Sequence, residues 1–253
     1  MKQQFWLSLL CIGLVSACAG TGPKQPSKKE RTEEVSRIKT QLAIEYMKTQ
    51  DYRGATATIE EALAADRRNE IAWLMRAQIY QYLKVNDKAE ASFREALSLK
   101  PDSAEINNNY GWFVCSALNS PNTAMAYFDK ALSDPTYPDP QVAYMNKGIC
   151  SAKMGQYSLS QAYLERSLAG APWFMPARKE LARTKLLAGE AREADQFFRQ
   201  YQSRVDVLGA DDLLLGWRIS RALGNAQAAY EYEAQLRTNF PYSEELKAIT
   251  TGH

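Results

Sequence analysis

The feature that most limits how this chain can fold is a recurring spacing of small and aromatic residues over about 34 positions. In its clearest copy, between residues 70 and 103, alanine alternates with aromatic residues and a proline closes the segment. The residues are Trp73, Ala77, Tyr80, Ala89, Phe93, Ala96 and Pro101. Alanine lets two helices approach closely, the aromatic rings fill the space beside each contact, and proline stops the second helix. The spacing therefore predicts a pair of packed helices.

This spacing resembles the tetratricopeptide repeat (TPR), a helix-turn-helix unit. The same offsets recur with decreasing fidelity from Ser36, Ala104, Gln141, Met175 and Ala210. We predict six units, approximately 36–69, 70–103, 104–140, 141–174, 175–209 and 210–242, followed by a C-terminal tail at 243–253. The resemblance implies an all-α superhelix, or α-solenoid, whose first helices line a concave surface that holds a peptide or protein segment.

Glycine recurs at offset 15 of the last three units, at Gly155, Gly189 and Gly224. A helix that ends there needs a left-handed residue, which glycine adopts most easily. The third unit departs from the pattern: residues 119–122 add one residue to its turn, and residues 136–140 lengthen its connection to the fourth. This connection is either a plain insertion or a functional loop. In the sixth unit Trp217 stands where a small residue is expected.

The N-terminus has the organisation of an exported lipoprotein. An apolar run at residues 5–14 ends in Val15-Ser16-Ala17-Cys18, which resembles the bacterial lipobox. The resemblance implies a signal peptide at 1–17, acylation of Cys18 and a lipid anchor; Ala19 favours the periplasmic face of the outer membrane. The alternative is an ordinary secretory signal with an incidental cysteine. Residues 18–35 form a predicted flexible tether, unless their end already begins the first helix.

Composition argues against catalysis. The 31 basic and 29 acidic residues nearly balance, and the single histidine is the last residue, His253. The sequence contains no glycine-rich phosphate loop, CxxC pair, HExxH or GxSxG. We expect no catalytic residue, metal site, cofactor, nucleic-acid partner or small-molecule substrate. The acidic residues Asp206, Asp211 and Asp212 are expected to be solvated or to cap helices.

Two cysteines remain once Cys11 leaves with the signal peptide and Cys18 is acylated. Cys115 is at offset 12 of the third unit and Cys150 at offset 10 of the fourth. The first helices of neighbouring units lie side by side, and two positions rotate a side chain by about 200°. If one thiol points forward, the other therefore points back toward it. This geometry favours a disulfide, with two separate core thiols as the alternative.

A set of residues on the first helices forms the predicted partner-binding face. Offsets 2, 5, 9 and 12 of a TPR unit face the groove, and here many of them are apolar. The candidates are Ile44, Met47, Leu74, Trp112, Met145, Ile149 and Leu186, together with the polar Asn108. The alternative is that these side chains form the core between units. The triplet at 107–109 either supplies amide hydrogen bonds within the repeat or grips the backbone of a partner.

The combination of a lipobox, a tether and six TPR units resembles the PilF/PilW family of type IV pilus lipoproteins, or pilotins. The stretch from Asn107 to Phe113 is similar to that family's third repeat. The resemblance implies a protein-binding scaffold whose early repeats contact the outer-membrane secretin and promote its localisation and multimerisation, with other pilus-assembly proteins as further partners. An adaptor resembling NlpI, which recruits periplasmic proteases or peptidoglycan hydrolases, is the alternative. A periplasmic enzyme is disfavoured by the lack of histidines.

Overall fold

The computed structural model describes residues 26–251, and this part of the chain consists of α-helices joined by short turns. The helices are α1 (Lys28–Lys48), α2 (Tyr52–Ala65), α3 (Glu70–Tyr82), α4 (Asn86–Leu99), α5 (Ala104–Ser116), α6 (Pro121–Leu132), α7 (Pro140–Lys153), α8 (Tyr157–Gly170), α9 (Met175–Leu187), α10 (Ala191–Gln202), α11 (Ala210–Ala222), α12 (Ala226–Asn239) and α13 (Glu244–Thr250).

The first twelve helices form six pairs, and their order matches the six predicted units. Within a pair the two helices pack along their length, and each second helix contacts the first helix of the next pair. In this part of the chain no strand interrupts the series. The predicted all-α TPR solenoid is confirmed.

The turn between the two helices of each unit contains one residue in the left-handed region. Gly155, Gly189 and Gly224 have φ of 73°, 82° and 72°, as their recurrence predicted. The first three units place other residues there, namely Gln50, Lys84 and Asn119, with φ of 62°, 58° and 51°. Asn119 lies one position late, which confirms the extra residue in the third turn. The strained conformation is therefore a property of the repeat and not of glycine.

Close helix contacts explain the small residues of the pattern, with one correction. A Cβ added to Gly148 would lie 2.6 Å from Leu164 Cγ on the paired helix. In the sixth unit the close contact is at Gly216, where an added Cβ would lie 2.6 Å from Tyr232 Cζ. The expectation that position 217 occupies this contact was wrong by one residue. Trp217 instead lies half-buried beside Arg221.

At both ends the helices continue beyond the predicted boundaries of the repeat array. Helix α1 begins at Lys28 because Ser27 and Glu30 form a capping box, in which each side chain bonds the other residue's backbone N–H. Residues 28–35 are therefore helical, so the alternative that the end of the stretch at 18–35 already begins the first helix is the right one. At the other end α13 lies in the predicted tail and buries Leu246 against the last unit. Cys18, the predicted signal peptide and His253 lie outside the described residues. None of the helices in residues 26–251 is long and apolar enough to cross a membrane.

Candidate partner-binding surface

We use the term groove face for offsets 2, 5, 9 and 12 of the six first helices. The structure separates the predicted residues on this face into two groups by their exposure. Two are buried, Leu74 and Asn108. The other six are partly exposed: Ile44, Met47, Trp112, Met145, Ile149 and Leu186.

Leu74 and Asn108 correct the sequence prediction. Leu74 is only 2% exposed and belongs to the main hydrophobic cluster of the first units. Asn108 is 5% exposed, and its Oδ1 accepts a hydrogen bond from Asn146 Nδ2 of the next unit at 3.0 Å. Both residues are at offset 5, which in units two and three lies between adjacent first helices instead of facing the groove. For these two positions the alternative, packing between units, is the right one.

The partly exposed residues differ in how firmly the core holds them. Met47 and Trp112 pack against the main hydrophobic cluster, and Met145 packs against a smaller one. Ile44 and Ile149 are half-buried but belong to no hydrophobic cluster of the described residues. Their apolar atoms are the ones most available for contact with another molecule. A polar substitution at these two positions removes the least core packing.

The asparagine triplet serves the repeat itself. Asn107 Nδ2 donates to the carbonyl oxygens of Pro101 and Ser103 at 2.9 and 2.8 Å. Asn109 donates to the Glu105 carbonyl at 2.8 Å and accepts from Gln78 Nε2 of the preceding unit at 2.9 Å. Together with the bond from Asn146 to Asn108, these contacts tie three successive units together. The intramolecular interpretation of the triplet is therefore the one that the structure supports.

The lengthened connection after α6 forms one wall of a cleft. The cleft has a volume of about 580 Å³, and its other wall is the start of α5. Its lining includes Glu105, Asn108, Asp134, Tyr137 and Asp139. Burial raises the pKa of Tyr137, and the carboxylates of Asp139 and Glu105 raise it further. The tyrosine thus stays neutral, and the cleft carries a net negative lining.

The last two units replace apolar residues on the groove face with ion pairs. Lys179 Nζ lies 2.9 Å from Asp212 Oδ1, and Arg183 Nη2 lies 2.7 Å from Asp211 Oδ2. Burial alone raises the pKa of Asp211, but Arg183 and Lys179 outweigh it and hold that pKa below its usual value. Asp212 also caps α11 by accepting from the Gly209 backbone N–H at 2.9 Å. The sequence predicted that these carboxylates are either solvated or cap helices. Asp212 does cap a helix, and both carboxylates form ion pairs instead of being fully solvated.

A disulfide fixes the third unit to the fourth. Cys115 on α5 and Cys150 on α7 are bonded, with their Cα atoms 6.1 Å apart, and both side chains are fully buried. This agrees with the pairing that the geometry of the repeat favoured over two separate thiols. Beside the disulfide, Lys153 Nζ donates to the Cys115 carbonyl oxygen at 3.0 Å. The covalent link therefore lies at one of the two joints with a lengthened connection between units.

Within residues 26–251 no group of three or more histidine, cysteine or acidic side chains is arranged to hold a metal ion. The groove face has five partly exposed apolar side chains in the first four units, and in the last two units an ion-paired network together with Leu186. This arrangement suits the binding of a protein segment along the early part of the groove face.

Comparisons with known proteins agree with this architecture. A family model described as "Tetratricopeptide repeat" matches residues 71–103. The type IV pilus assembly protein PilF of Pseudomonas aeruginosa strain PAO1 is 25% identical over 240 residues, 94% of each chain. A solved structure of P. aeruginosa PilF is 23% identical and covers 88% of this chain and 100% of its own, with a TM-score of 0.70.

A second solved structure is much more similar in sequence. It is the crystal structure of PilW, described as a widely conserved type IV pilus biogenesis factor. The two chains are 71% identical over 86% of this chain and 99% of that chain, with a TM-score of 0.77. The protein therefore belongs to the PilW family of tetratricopeptide-repeat proteins.

Proposed function

We propose that this protein acts in type IV pilus biogenesis as a lipid-anchored scaffold on the periplasmic face of the outer membrane. In this role it holds a segment of the pilus secretin and promotes the localisation and multimerisation of that secretin. The observation that carries the pilus role is the 71% identity to PilW over 86% of the chain. The secretin and the membrane address come from the resemblance of the lipobox and repeats to the family.

The early part of the groove face is the proposed site for the secretin segment. Ile44 of the first unit and Ile149 of the fourth are partly exposed, and neither belongs to a hydrophobic cluster of the described residues. A row of apolar side chains along a groove favours a hydrophobic segment, because burial of apolar surface drives such docking. On the same face of the last two units, the one partly exposed residue of the predicted apolar set is Leu186, and positions 179, 183 and 211 form ion pairs. We therefore place the segment across units one to four.

The proposed anchor keeps the groove close to the membrane. Ten positions separate Cys18 from Lys28, where α1 begins. A chain of that length extends over at most about 33–36 Å. An acylated Cys18 would thus hold the first unit within reach of a partner embedded in the same membrane.

The proposal is tested with a groove variant in the full-length protein expressed from its own locus. Ile44→Asp with Ile149→Asp should reduce SDS-resistant secretin multimers and surface pili at least several-fold. The melting temperature should stay within about 2 °C of wild type, because neither side chain belongs to the core. Leu159→Asp is the matched control: Leu159 is 42% exposed on α8, a second helix, so this variant should behave as wild type in all three measurements.

Two outcomes would overturn the proposal. Normal secretin multimers in the double variant would show that the groove face is not the site. Normal pili in a deletion strain, with altered cell-wall turnover, would instead support an adaptor of the NlpI type.

A further inference from the structure

The first helix of the first unit has an exposed apolar face. In later units the corresponding face is covered by the preceding unit. Ile38 and Leu42 are at offsets 3 and 7 of α1, and they are 53% and 43% exposed. Val35, one turn earlier on the same side of the helix, is 43% exposed. These three side chains form a stripe, which we call the stacking face.

In later units the corresponding positions pack against the preceding unit. At offset 3 the residues are Ala72, Ile106, Ala143 and Ala177, and each is 0% exposed. At offset 7, the Tyr110 ring lies 5.4 Å from Phe93 of the preceding unit, and Lys147 bonds Asp129 of the unit before it. The stacking face of α1 is therefore built like an interface between units, although no described residue covers it.

The two ends of the solenoid differ in whether a helix covers the last exposed face of the repeat. At the C-terminal end α13 packs on α11 and α12 and buries Leu246, with Ile249 packed beside it. Solenoids require such covers, because an exposed end of the repeat core is apolar. With the C-terminal end covered, a second copy cannot stack head-to-tail on α1 without displacing α13. A symmetric pairing of two stacking faces needs no such displacement.

The charges along the stacking face are self-complementary for that pairing. Cations lie at its N-terminal end, Lys28 and Arg31, and neither makes an ion pair within the described residues. The exposed Glu45 lies at its C-terminal end, one turn beyond Leu42, and also pairs with Lys48 Nζ at 2.9 Å. When two helices run antiparallel about a two-fold axis near Ile38, position 31 of each copy lies opposite position 45 of the other, so Arg31 meets Glu45. The apolar residues then meet in the middle.

We propose that the occupant of the stacking face is a second copy of this chain, paired through antiparallel α1 helices. A membrane surface fits less well, because it would bring lipid against Glu45 on the stacking face, whereas a second copy brings Arg31 to that carboxylate. The pairing leaves the groove face free, since Leu42 and Ile44 point about 200° apart around the helix. Self-association therefore adds to the proposed secretin binding and does not compete with it.

Cysteine crosslinking in the full-length protein in its native membrane tests the pairing. Ile38→Cys lies near the proposed axis, so mild oxidation should give a covalent dimer on non-reducing gels. The yield of this dimer should be at least tenfold higher than that from Leu159→Cys. Leu159 is similarly exposed on α8 and lies outside the stacking face. In the Ile38→Cys background, Arg31→Glu should reduce the dimer several-fold, and adding Glu45→Arg should restore it.

Each other result counts against the proposal. Equal dimer yields from positions 38 and 159 would indicate random collision, and failure of the charge swap to restore crosslinking would refute the antiparallel register. A crosslink to a different protein would identify another occupant. Absence of any crosslink, with the thiol of the Ile38→Cys variant shielded from a water-soluble maleimide, would assign the face to lipid. These results do not depend on secretin multimers, so they are separable from a failure of the proposed function.

Discussion

Reduction of the disulfide between Cys115 and Cys150 should destabilise the protein by an amount set mainly by the loop it closes. The bonded residues are 35 positions apart. For a loop of about 35 residues, the chain-entropy relation gives about 4 kcal/mol of stabilisation at 25 °C. For a chain of this size, each kcal/mol corresponds to roughly 2–4 °C in melting temperature. Reduced protein should therefore melt about 8–16 °C below oxidised protein.

The double variant Cys115→Ala/Cys150→Ala separates the crosslink from packing. Both side chains are fully buried, so the variant loses the crosslink and also a little packing. It should melt at or slightly below reduced wild type and should not respond to reductant. The bonds from Asn146 to Asn108 and from Lys153 to the Cys115 carbonyl remain, so the fold should persist.

The assay is thermal unfolding by circular dichroism with and without reductant, followed by hydrogen exchange. Exchange should increase most in residues 104–170, which form the two units that the disulfide joins. Oxidised and reduced proteins that melt within about 2 °C of each other would refute the reasoning. Faster exchange spread evenly over all six units would contradict its local part.

Three further predictions concern the turns, the acid-sensitive joint and the anchor. Gly155→Ala should lower the unfolding free energy by about 1 kcal/mol, because its φ is 73° and no atom lies near the added Cβ. Lys84→Gly should raise the unfolding free energy by a few tenths of a kcal/mol, because Lys84 also has a positive φ. Denaturant titration measures both changes. The lowered pKa of Asp211 contributes stability that is present above the pKa of the unfolded state, about 3.9, and is lost as pH falls through the folded value. The Asp211→Asn variant should therefore be less stable than wild type at pH 7, and its stability should change less with acid. Thermal unfolding measured from pH 2 to pH 7 checks both. Cys18→Ala should leave the protein unprocessed or released from the outer membrane, and fractionation with that membrane as in wild type would contradict the anchor.

The repeat architecture was predictable because its determinants are local. Small residues at close contacts and prolines after second helices occur at fixed offsets, so each unit could be placed without knowledge of its neighbours. The same locality explains the errors. The close contact at Gly216 was placed one residue late because the offsets assumed a regular unit. The start of α1 was placed too late because no small-residue pattern precedes residue 36, although the capping box of Ser27 and Glu30 was a usable signal.

The groove face was harder to predict because it depends on the angle between successive units. Offset 5 faces the groove or the neighbouring helix according to that angle, and this is why Leu74 and Asn108 were misassigned. A signal was present in polar pairs about one repeat apart. Asn69 bonds Ser36 across 33 positions, and Lys179 bonds Asp212 across the same separation. Complementary polar residues spaced by one repeat indicate contact between units and so mark positions that are not free for a partner.

The joints between units differ in chemistry, and this has a consequence for the proposed binding site. Units three and four are joined by a disulfide, which responds to reductant, and units five and six by carboxylate ion pairs, which respond to acid. Units one and two are joined by apolar packing, the amide of Asn69 and the ion pair of Arg76 Nε with Glu60 Oε1 at 2.7 Å, none of which a reductant breaks. The groove around Ile44 should therefore keep its shape under reducing conditions, which loosen the joint between units three and four. Any redox sensitivity of partner binding would then have to arise at the Ile149 end of the proposed segment, beside the disulfide.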